Sequence, residues 1–453
     1  MRHESGLLTD LYELTMAAGY IQTGLECRAT FELFARHLPE RRNFLVVAGI
    51  EQALDFLETV RFSQEEIGYL RRHSAFRHVH RKFFDYLARF RFSGDVWAMP
   101  EGTLAFAGEP ILRVEAPVTE AQIVETYLLA AIHCQTLIAS KAARVVLSAR
   151  GRSVIEFGSR RAHGIEAGVL AARASWLAGC DGTSNSYAGH TYGIPTFGTQ
   201  AHSWVMAHKT EREAFDKFLD VFPSASTLLV DTYDTRRAIE RIIRDGRKPI
   251  GVRLDSGNLV EDSRWARERL KRAGWGDVQI FASGDLDEAK IDAMLRAGAE
   301  VDGFGVGTAL VTSSDAPSIG LIYKLVEIQR NGRSVHVAKF SPDKATYPGP
   351  KQVFRFHDET GQFERDQIAL DGERPRGGEP LLVPALRKGR RIRSAELLEE
   401  ARARCKKQLL LLPERYRRID KRAIFPVSYS QRLERMFKSK QRAALGPSRS
   451  AVK

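Results

Sequence analysis

The sequence predicts an α/β fold whose middle is a TIM-like α/β barrel. Three observations predict it. From about residue 150 to residue 320, strand-like and helix-like runs alternate, the pattern of a parallel sheet with crossover helices. Several of those strand-like runs are apolar with little alternation, as strands buried on both faces are. Before residue 120 and after residue 320 the runs are shorter, mixed and rich in turn residues.

The elements follow in order. "LTDLYELTMAAGYIQTG" spaces Leu11, Leu14, Ala18 and Ile21 on one helical face and stops at glycine. "ATFELFAR" reads as a strand and "VVAGIEQALDFLETV" as a helix. "SGDVWAMPEGTLAFAGEPILRVEAP" alternates between turn signals and reads as a small β-sheet. A long helical stretch, "TEAQIVETYLLAAIHCQTLIASKAARVVLSA", leads into the alternating region. Its strands are "SVIEF", "PTFG", "STLLVD", "PIGVRLD", "VQIFAS" and "VDGFGVG". After residue 320, "GLIYKLVEI", "SVHVAKF" and "KQVFRFH" are β again. A Pro/Gly-rich loop at 371–380, a helix at 394–412 and a frayed basic tail complete the chain. The expected boundaries are 1–120 for an N-terminal α+β domain completed by C-terminal segments and 121–325 for the barrel. Residues 326–435 form C-terminal strands and a helix packing on the N-terminal domain, and 436–453 a disordered tail.

Composition bounds the function class. The chain has 453 residues, 43% hydrophobic and 28% charged, ordinary for a globular protein with its own core. The four cysteines are far apart with no C-x-x-C pair, so neither a zinc site nor a disulfide framework is indicated, as suits a reducing cytoplasm. No apolar run approaches the ~18 residues of a membrane helix, and the acidic N-terminus does not suit a signal peptide. The formal charge of +13 is localised: from Arg387 to Lys453 there are 21 Lys plus Arg against 6 Asp plus Glu, leaving the rest near −2. The tail has few interleaved aromatics and no RNA-binding module, so a solvated basic tail is preferred over a nucleic-acid or membrane contact.

In an α/β barrel the chemistry collects at the carboxyl ends of the strands. After "SVIEF" come Arg160 and Arg161, and after "PTFG" comes His202. "STLLV" is followed by Asp231 and Asp234. "GV" runs into Arg253, Asp255, Ser256 and Gly257. "IFA" runs into Ser283, Gly284 and Asp285, and "VDGF" into Gly305, Gly307 and Thr308. Six strand ends in register argue for one site. The glycine-rich turn lets backbone N–H groups approach a phosphate, and arginine recognises carboxylate or phosphate as a fork. A carboxylate suits sugar hydroxyls or magnesium-bound water. No lysine ends a strand, which speaks against a Schiff-base aldolase. No G-x-S-x-G elbow is present, which speaks against an α/β-hydrolase. The residues by themselves lead to a barrel enzyme handling a phosphorylated sugar and a small anion.

"LLTDLYELTMAAGY", "FLVVAGIEQALDFL", "EFGSRRAHG", "GTSNSYAG", "GTQAHSWV", "GVRLDSGN" and "FGVGTALVTS" stand in an order that resembles the nicotinate phosphoribosyltransferase family, from about residue 6 to about residue 435. The resemblance implies a sandwich-like N-terminal domain, a barrel, and a homodimer whose sites are shared between subunits. It implies transfer of the 5-phosphoribosyl group from 5-phosphoribosyl-1-pyrophosphate to nicotinate, giving nicotinate mononucleotide and pyrophosphate, with ATP as co-substrate and Mg2+ held through pyrophosphate. By the same resemblance His202 carries a phosphoryl group from ATP, and Phe157 stacks on the pyridine ring. Tyr12 covers that ring from a neighbouring subunit. Arg160 and Arg253 are the site arginines. Asp231 and Asp255 lie near the ribose and magnesium pyrophosphate, and Gly305, Gly307 and Thr308 hold the 5-phosphate. Taken alone, Tyr12 and Phe157 read as core aromatics and His202 as a loop histidine. His163, His190 and His208 are expected to do local structural work.

The nearest alternative is nicotinamide phosphoribosyltransferase. An amide substrate offers an N–H donor and benefits from a carboxylate acceptor, and that relative has an aspartate where this chain has Ser184. The absence of an anion there favours the acid. Quinolinate phosphoribosyltransferase ranks third, since it lacks the "GTQAH" histidine. An RNA-binding role for the tail is the distant alternative.

Overall fold

The computed structural model describes residues 4–341 and 344–445. The chain divides into two compact units. One holds the chain up to Thr136, Ser318–Tyr416 and the segment from Arg422, and the other holds Leu137–Pro317 with Arg417–Lys421.

The first unit is built on a seven-stranded antiparallel sheet. Its order is Arg333–His336, Leu321–Arg330, Arg28–Ala35, Pro110–Pro117, Asp95–Ala98, Val383–Arg387 and Arg390–Arg391. C-terminal strands thus share one sheet with N-terminal ones. Phe31, Leu33, Val96, Leu112 and Val114 are buried in its core, and Phe31 stacks on Tyr323 at 4.8 Å between ring centroids. Phe56, on the helix Ile50–Thr59, stacks on Tyr127 at 3.7 Å. A second sheet, Glu379–Pro380, Lys351–His357, Phe363–Leu370 and Val427–Tyr429, carries a buried Arg355–Asp366 pair at 2.6 Å.

The tail departs from expectation. Gln431–Leu445 is a helix, so the disorder expected from residue 436 does not hold as far as Leu445. Leu433, Met436 and Phe437 lie at helical spacing on one face. Leu433 is fully buried, Met436 Sδ contacts His336, and Phe437 stacks on Tyr347 at 4.5 Å. The cations around them, Arg432, Arg435, Lys438 and Lys440, obscure this stripe in the sequence. Residues 446–453 lie outside the described residues.

The second unit contains a six-stranded sheet, parallel throughout. Its order is Gly182–Thr183, Ser153–Glu156, Gly303–Val306, Gln279–Ala282, Gly251–Leu254 and Thr227–Leu229. The two outer strands do not pair with each other, so the sheet is open and the expected closed barrel is not formed. The break falls where "PTFG" was read as a strand. That segment makes only one bridge, Thr183 to Thr196, flanked by Thr183 N–H to Pro195 O (3.1 Å) and Phe197 N–H to Thr183 O (2.9 Å). Pro195 has no N–H to extend a ladder, and the chain beyond it turns into short helices instead.

Side chains after the strands start the helices that follow. Asp234, Asn258 and Asp287 each accept a hydrogen bond from a first-turn N–H, at 2.9, 3.3 and 2.8 Å. Beneath the helices, buried Lys141 pairs with Glu288 and with Asp315 (2.7 Å), and Arg144 with Glu288 at 3.0 Å. None of the four cysteines is in a disulfide, and among the described residues no helix is long and apolar enough to cross a membrane.

Candidate active site

The carboxyl ends of the parallel strands surround a cleft of about 500 Å³, lined by Phe157, Arg160, Arg161, Ser184, Thr199, Gln200, His202, Arg253, Asp255, Ser283, Gly284, Gly305, Gly307 and Thr308 among others. Most of the residues singled out at the strand ends therefore meet in one place, although the sheet is open.

Arg253 is the hub, leaving the end of the strand Gly251–Leu254. Its Nε donates to Ser283 Oγ (2.8 Å), Nη1 to Thr199 Oγ1 (2.9 Å) and Nη2 to Asp255 Oδ1 (2.6 Å). The Ser283 hydroxyl passes its own hydrogen to Asp255 Oδ1. Burial pushes the Asp255 carboxyl up, but the Ser283 hydroxyl and the Arg253 guanidinium outweigh it, with His202 assisting, and hold it below the usual carboxylate range. Asp255 is thus a fixed anion at the cleft wall.

Asp231, Ser256 and Gly257 are not on that wall. Asp231 Oδ2 accepts from Asp255 N–H (3.1 Å) and Ser256 Oγ–H (2.6 Å), and its Oδ1 is buried without a partner. Gly257 makes the turn into the helix Leu259–Arg272. Gly284 allows a close approach: it has φ +94°, and a Cβ there would run into Asp255 O.

His202 opens the short helix His202–Met206. Its Nδ1 meets Thr232 Oγ1 at 3.1 Å, and its Nε2 faces Asp255 Oδ2 at 4.0 Å. Trp204, two residues on, anchors this helix by donating from Nε1 to Ala214 O (3.0 Å). His208 lies against the Trp204 ring with Nδ1 2.8 Å from Trp204 O, a local packing role.

Phe157 owes its place to glycine: a Cβ at Gly305 would overlap its ring. The Arg253 guanidinium carbon lies 5.5 Å from the ring centroid. Arg160 and Arg161 sit exposed on the turn Ser159–Arg161, and neither has an ion-pair partner among the described residues. Ser184 is exposed on the wall with its N–H donated to Glu156 O at 2.9 Å. Buried Glu156 ties the strand end together by accepting from Thr183 Oγ1 (2.5 Å) and from Gly158 N–H. Gly307 leads into the four-residue helix Thr308–Val311. Tyr12 stands in the other unit, 49% exposed on the helix Leu11–Thr23. Burial raises its hydroxyl pKa, with Glu125 and Glu13 adding to the shift.

Sequence reasoning missed four groups. Thr199 and Thr232 orient Arg253 and His202, and Glu156 braces the loop that carries Phe157. Gln200 lines the cleft with its amide shut off from solvent and unpaired. Thr199 and Gln200 lie inside the quoted "GTQAH", whose histidine drew the attention. Thr232 follows Asp231 directly, where a side-chain signal was available. Among the described residues no cluster of three or more His, Cys, Asp or Glu could hold a metal by itself.

Residues 7–133 match the nicotinate phosphoribosyltransferase N-terminal domain, residues 152–347 the nicotinate phosphoribosyltransferase family, and residues 375–437 the C-terminal domain. The chain is 47% identical over 441 residues to nicotinate phosphoribosyltransferase pncB2 of Mycobacterium tuberculosis, covering 95% of this chain and 93% of that protein. It is 41% identical over 378 residues to nicotinate phosphoribosyltransferase of Bacillus subtilis, covering 81% and 76%. The structure of human nicotinic acid phosphoribosyltransferase superimposes with a TM-score of 0.83 at 29% identity, covering 95% of this chain and 99% of that one.

Proposed function

The chain belongs to the nicotinate phosphoribosyltransferase family, and from that premise we propose that it joins nicotinate to the ribosyl group of 5-phosphoribosyl-1-pyrophosphate, releasing pyrophosphate, as the salvage entry to NAD. The observation that carries the reading is the meeting, in one cleft, of the Phe157 ring with three guanidiniums and the Asp255 anion. An aromatic face suits a flat pyridine ring, and the guanidiniums suit a substrate pair rich in carboxylate and phosphate oxygens.

In this reading the pyridine nitrogen attacks the anomeric carbon as pyrophosphate departs. Positive charge builds on the ribose in the transition state, so the protein needs to position and to stabilise charge rather than to remove a proton. Arg160 and Arg161, without ion pairs among the described residues, are available to anionic oxygens. Asp255, kept ionised by Ser283 and Arg253, lies where a developing cation would be stabilised. Gly307 and Thr308 offer backbone N–H groups to the 5-phosphate. Ser184 places no anion opposite the nicotinate carboxylate, which supports the acid over the amide.

Mg2+ fits the site through substrate phosphates and one or two carboxylates, as this ion usually binds. Asp255, on the cleft wall, is the carboxylate that would hold it or its waters, and Asp231, accepting from the Asp255 N–H, supports it from behind. The ion would neutralise charge on the departing pyrophosphate. ATP coupling runs through His202. With Nδ1–H donated to Thr232 Oγ1, Nε2 carries the free lone pair, accepts the γ-phosphoryl group and releases ADP. Water later cleaves the P–N bond to phosphate. Tyr12 covers the second face of the pyridine ring from a neighbouring copy, which makes the active form a homodimer.

The test is mononucleotide formation from nicotinate and phosphoribosyl pyrophosphate, with and without ATP, beside a nicotinamide control. The expected result is turnover with nicotinate, raised by ATP. Turnover with nicotinamide in its place would move the chain to the amide-using branch.

A further inference from the structure

Gln200 lies on the cleft wall with only 4% of its surface exposed, and neither Nε2 nor Oε1 has a hydrogen-bond partner among the described residues. A buried amide left unpaired on both sides is costly, and native proteins rarely keep one without use. Its backbone is fixed, since Gln200 O accepts from Thr199 Oγ1 at 3.2 Å, and the same hydroxyl accepts from Arg253. Only the side chain is uncommitted. Swinging it into the cleft breaks no hydrogen bond.

The amide's chemistry selects its ligand. It offers one donor and one acceptor group, so a ligand that satisfies both must itself accept and donate. A carboxylate or a phosphate only accepts, and would leave Oε1 unpaired and facing an anion. A pair of ring hydroxyls does both. Nicotinate carries no hydroxyl. The phosphoribosyl donor and ATP both do, but only the donor must seat its ribose in the cleft for the anomeric carbon to react, whereas ATP need bring only its γ-phosphoryl group to His202. We infer that the Gln200 side chain binds the ribose hydroxyls of 5-phosphoribosyl-1-pyrophosphate and so discriminates this donor from simple phosphates. The inference rests on the proposed function and names a specificity-determining residue within it.

Gln200→Met keeps the length and removes both polar groups. Binding of magnesium phosphoribosyl pyrophosphate, magnesium pyrophosphate and nicotinate would be titrated calorimetrically on wild type and variant, with steady-state kinetics alongside. Phosphoribosyl pyrophosphate affinity is expected to fall about tenfold in Q200M, as loss of two neutral hydrogen bonds predicts. Pyrophosphate and nicotinate should bind within twofold of wild type. KM for the ribosyl donor should rise with kcat changed less than twofold, and the Tm of the free variant should equal or exceed that of wild type. Unchanged donor affinity overturns the inference. So does a loss confined to nicotinate, or an equal loss for all three ligands with a lower Tm, which marks a structural amide. Gln200→Leu repeats the series if the methionine variant does not fold. Wild type that fails to bind the ribosyl donor would overturn the functional reading itself, and that outcome is separate from a donor that binds wild type and Q200M equally.

Discussion

His202 Nε2 and Asp255 Oδ2 face each other at 4.0 Å, the ring held from behind by Thr232 and the carboxylate by Arg253 and Ser283. In the proposed reaction the ring nitrogen that takes the phosphoryl group is the one beside the fixed anion. A phosphoryl group on Nε2 would bring negative charge against Asp255, so coupling and ribosyl transfer would share an electrostatic contact. His202→Ala is expected to keep nicotinate turnover without ATP while losing its stimulation by ATP. Asp255→Asn is expected to lower kcat/KM by about 10²-fold or more with or without ATP, as removal of a charge-stabilising group does. Steady-state rates at saturating and zero ATP distinguish the two. Equal losses in both variants under both conditions would remove the separation of roles.

The Phe157 ring occupies the space that the missing side chain of Gly305 leaves. Gly305→Ala should push the ring off its position and raise the nicotinate KM about as much as Phe157→Ala does, roughly tenfold on the usual strength of ring stacking. The double variant should be no worse than either single one, since both remove the same contact. Additive losses in the cycle would show that Gly305 acts on something other than the ring.

The strand-end chemistry was legible because apolar runs give way to polar residues at or just beyond the strand ends. Ser283 follows Ala282, the last residue of its strand, and Arg253 stands one residue before the end of Gly251–Leu254. The supporting hydroxyls were not legible. Thr199 and Thr232 sit in loops where a threonine has many local uses, and only the fold brings them to Arg253 and His202. The closed barrel was a misreading for a related reason. "PTFG" has the composition of a strand, but Pro195 cannot donate to a ladder, and the segment pairs through one residue. In the last helix, Leu433, Met436 and Phe437 were hidden among cations that face solvent.

Ser184 is exposed on the cleft wall, and its backbone is held by Glu156 O. An aspartate there would keep the backbone bond and set a carboxylate in the cleft. Ser184→Asp should raise the nicotinate KM by about tenfold or more through like-charge repulsion and leave phosphoribosyl pyrophosphate binding nearer to wild type. Competition by nicotinamide, measured in the same assay, should strengthen. Unchanged nicotinate kinetics would mean that the substrate carboxylate lies elsewhere in the cleft.

Next to Tyr12, Glu13 is fully buried, with Oε1 accepting from Thr126 at 2.9 Å and Oε2 unpaired. Burial pushes its carboxyl pKa up to about 7, opposed by the Thr126 hydroxyl and reinforced by the Glu125 charge. In the unfolded chain it titrates near the ordinary 4.5. Between these values the folded protein holds a proton that the unfolded chain has lost, so stability falls as pH rises from about 4.5 to about 7 and stays lower above that. The shift corresponds to a penalty on the order of 3 kcal/mol at pH 8. Glu13→Gln removes the ionisation, keeps an oxygen for Thr126 and turns an N–H toward the Glu125 charge. The variant should match wild type in Tm near pH 4.5 and exceed it by several degrees at pH 8. Parallel Tm profiles for the two proteins across this range would place the titration of Glu13 in the ordinary carboxylate region. The Tyr12 helix would then need no protonated neighbour.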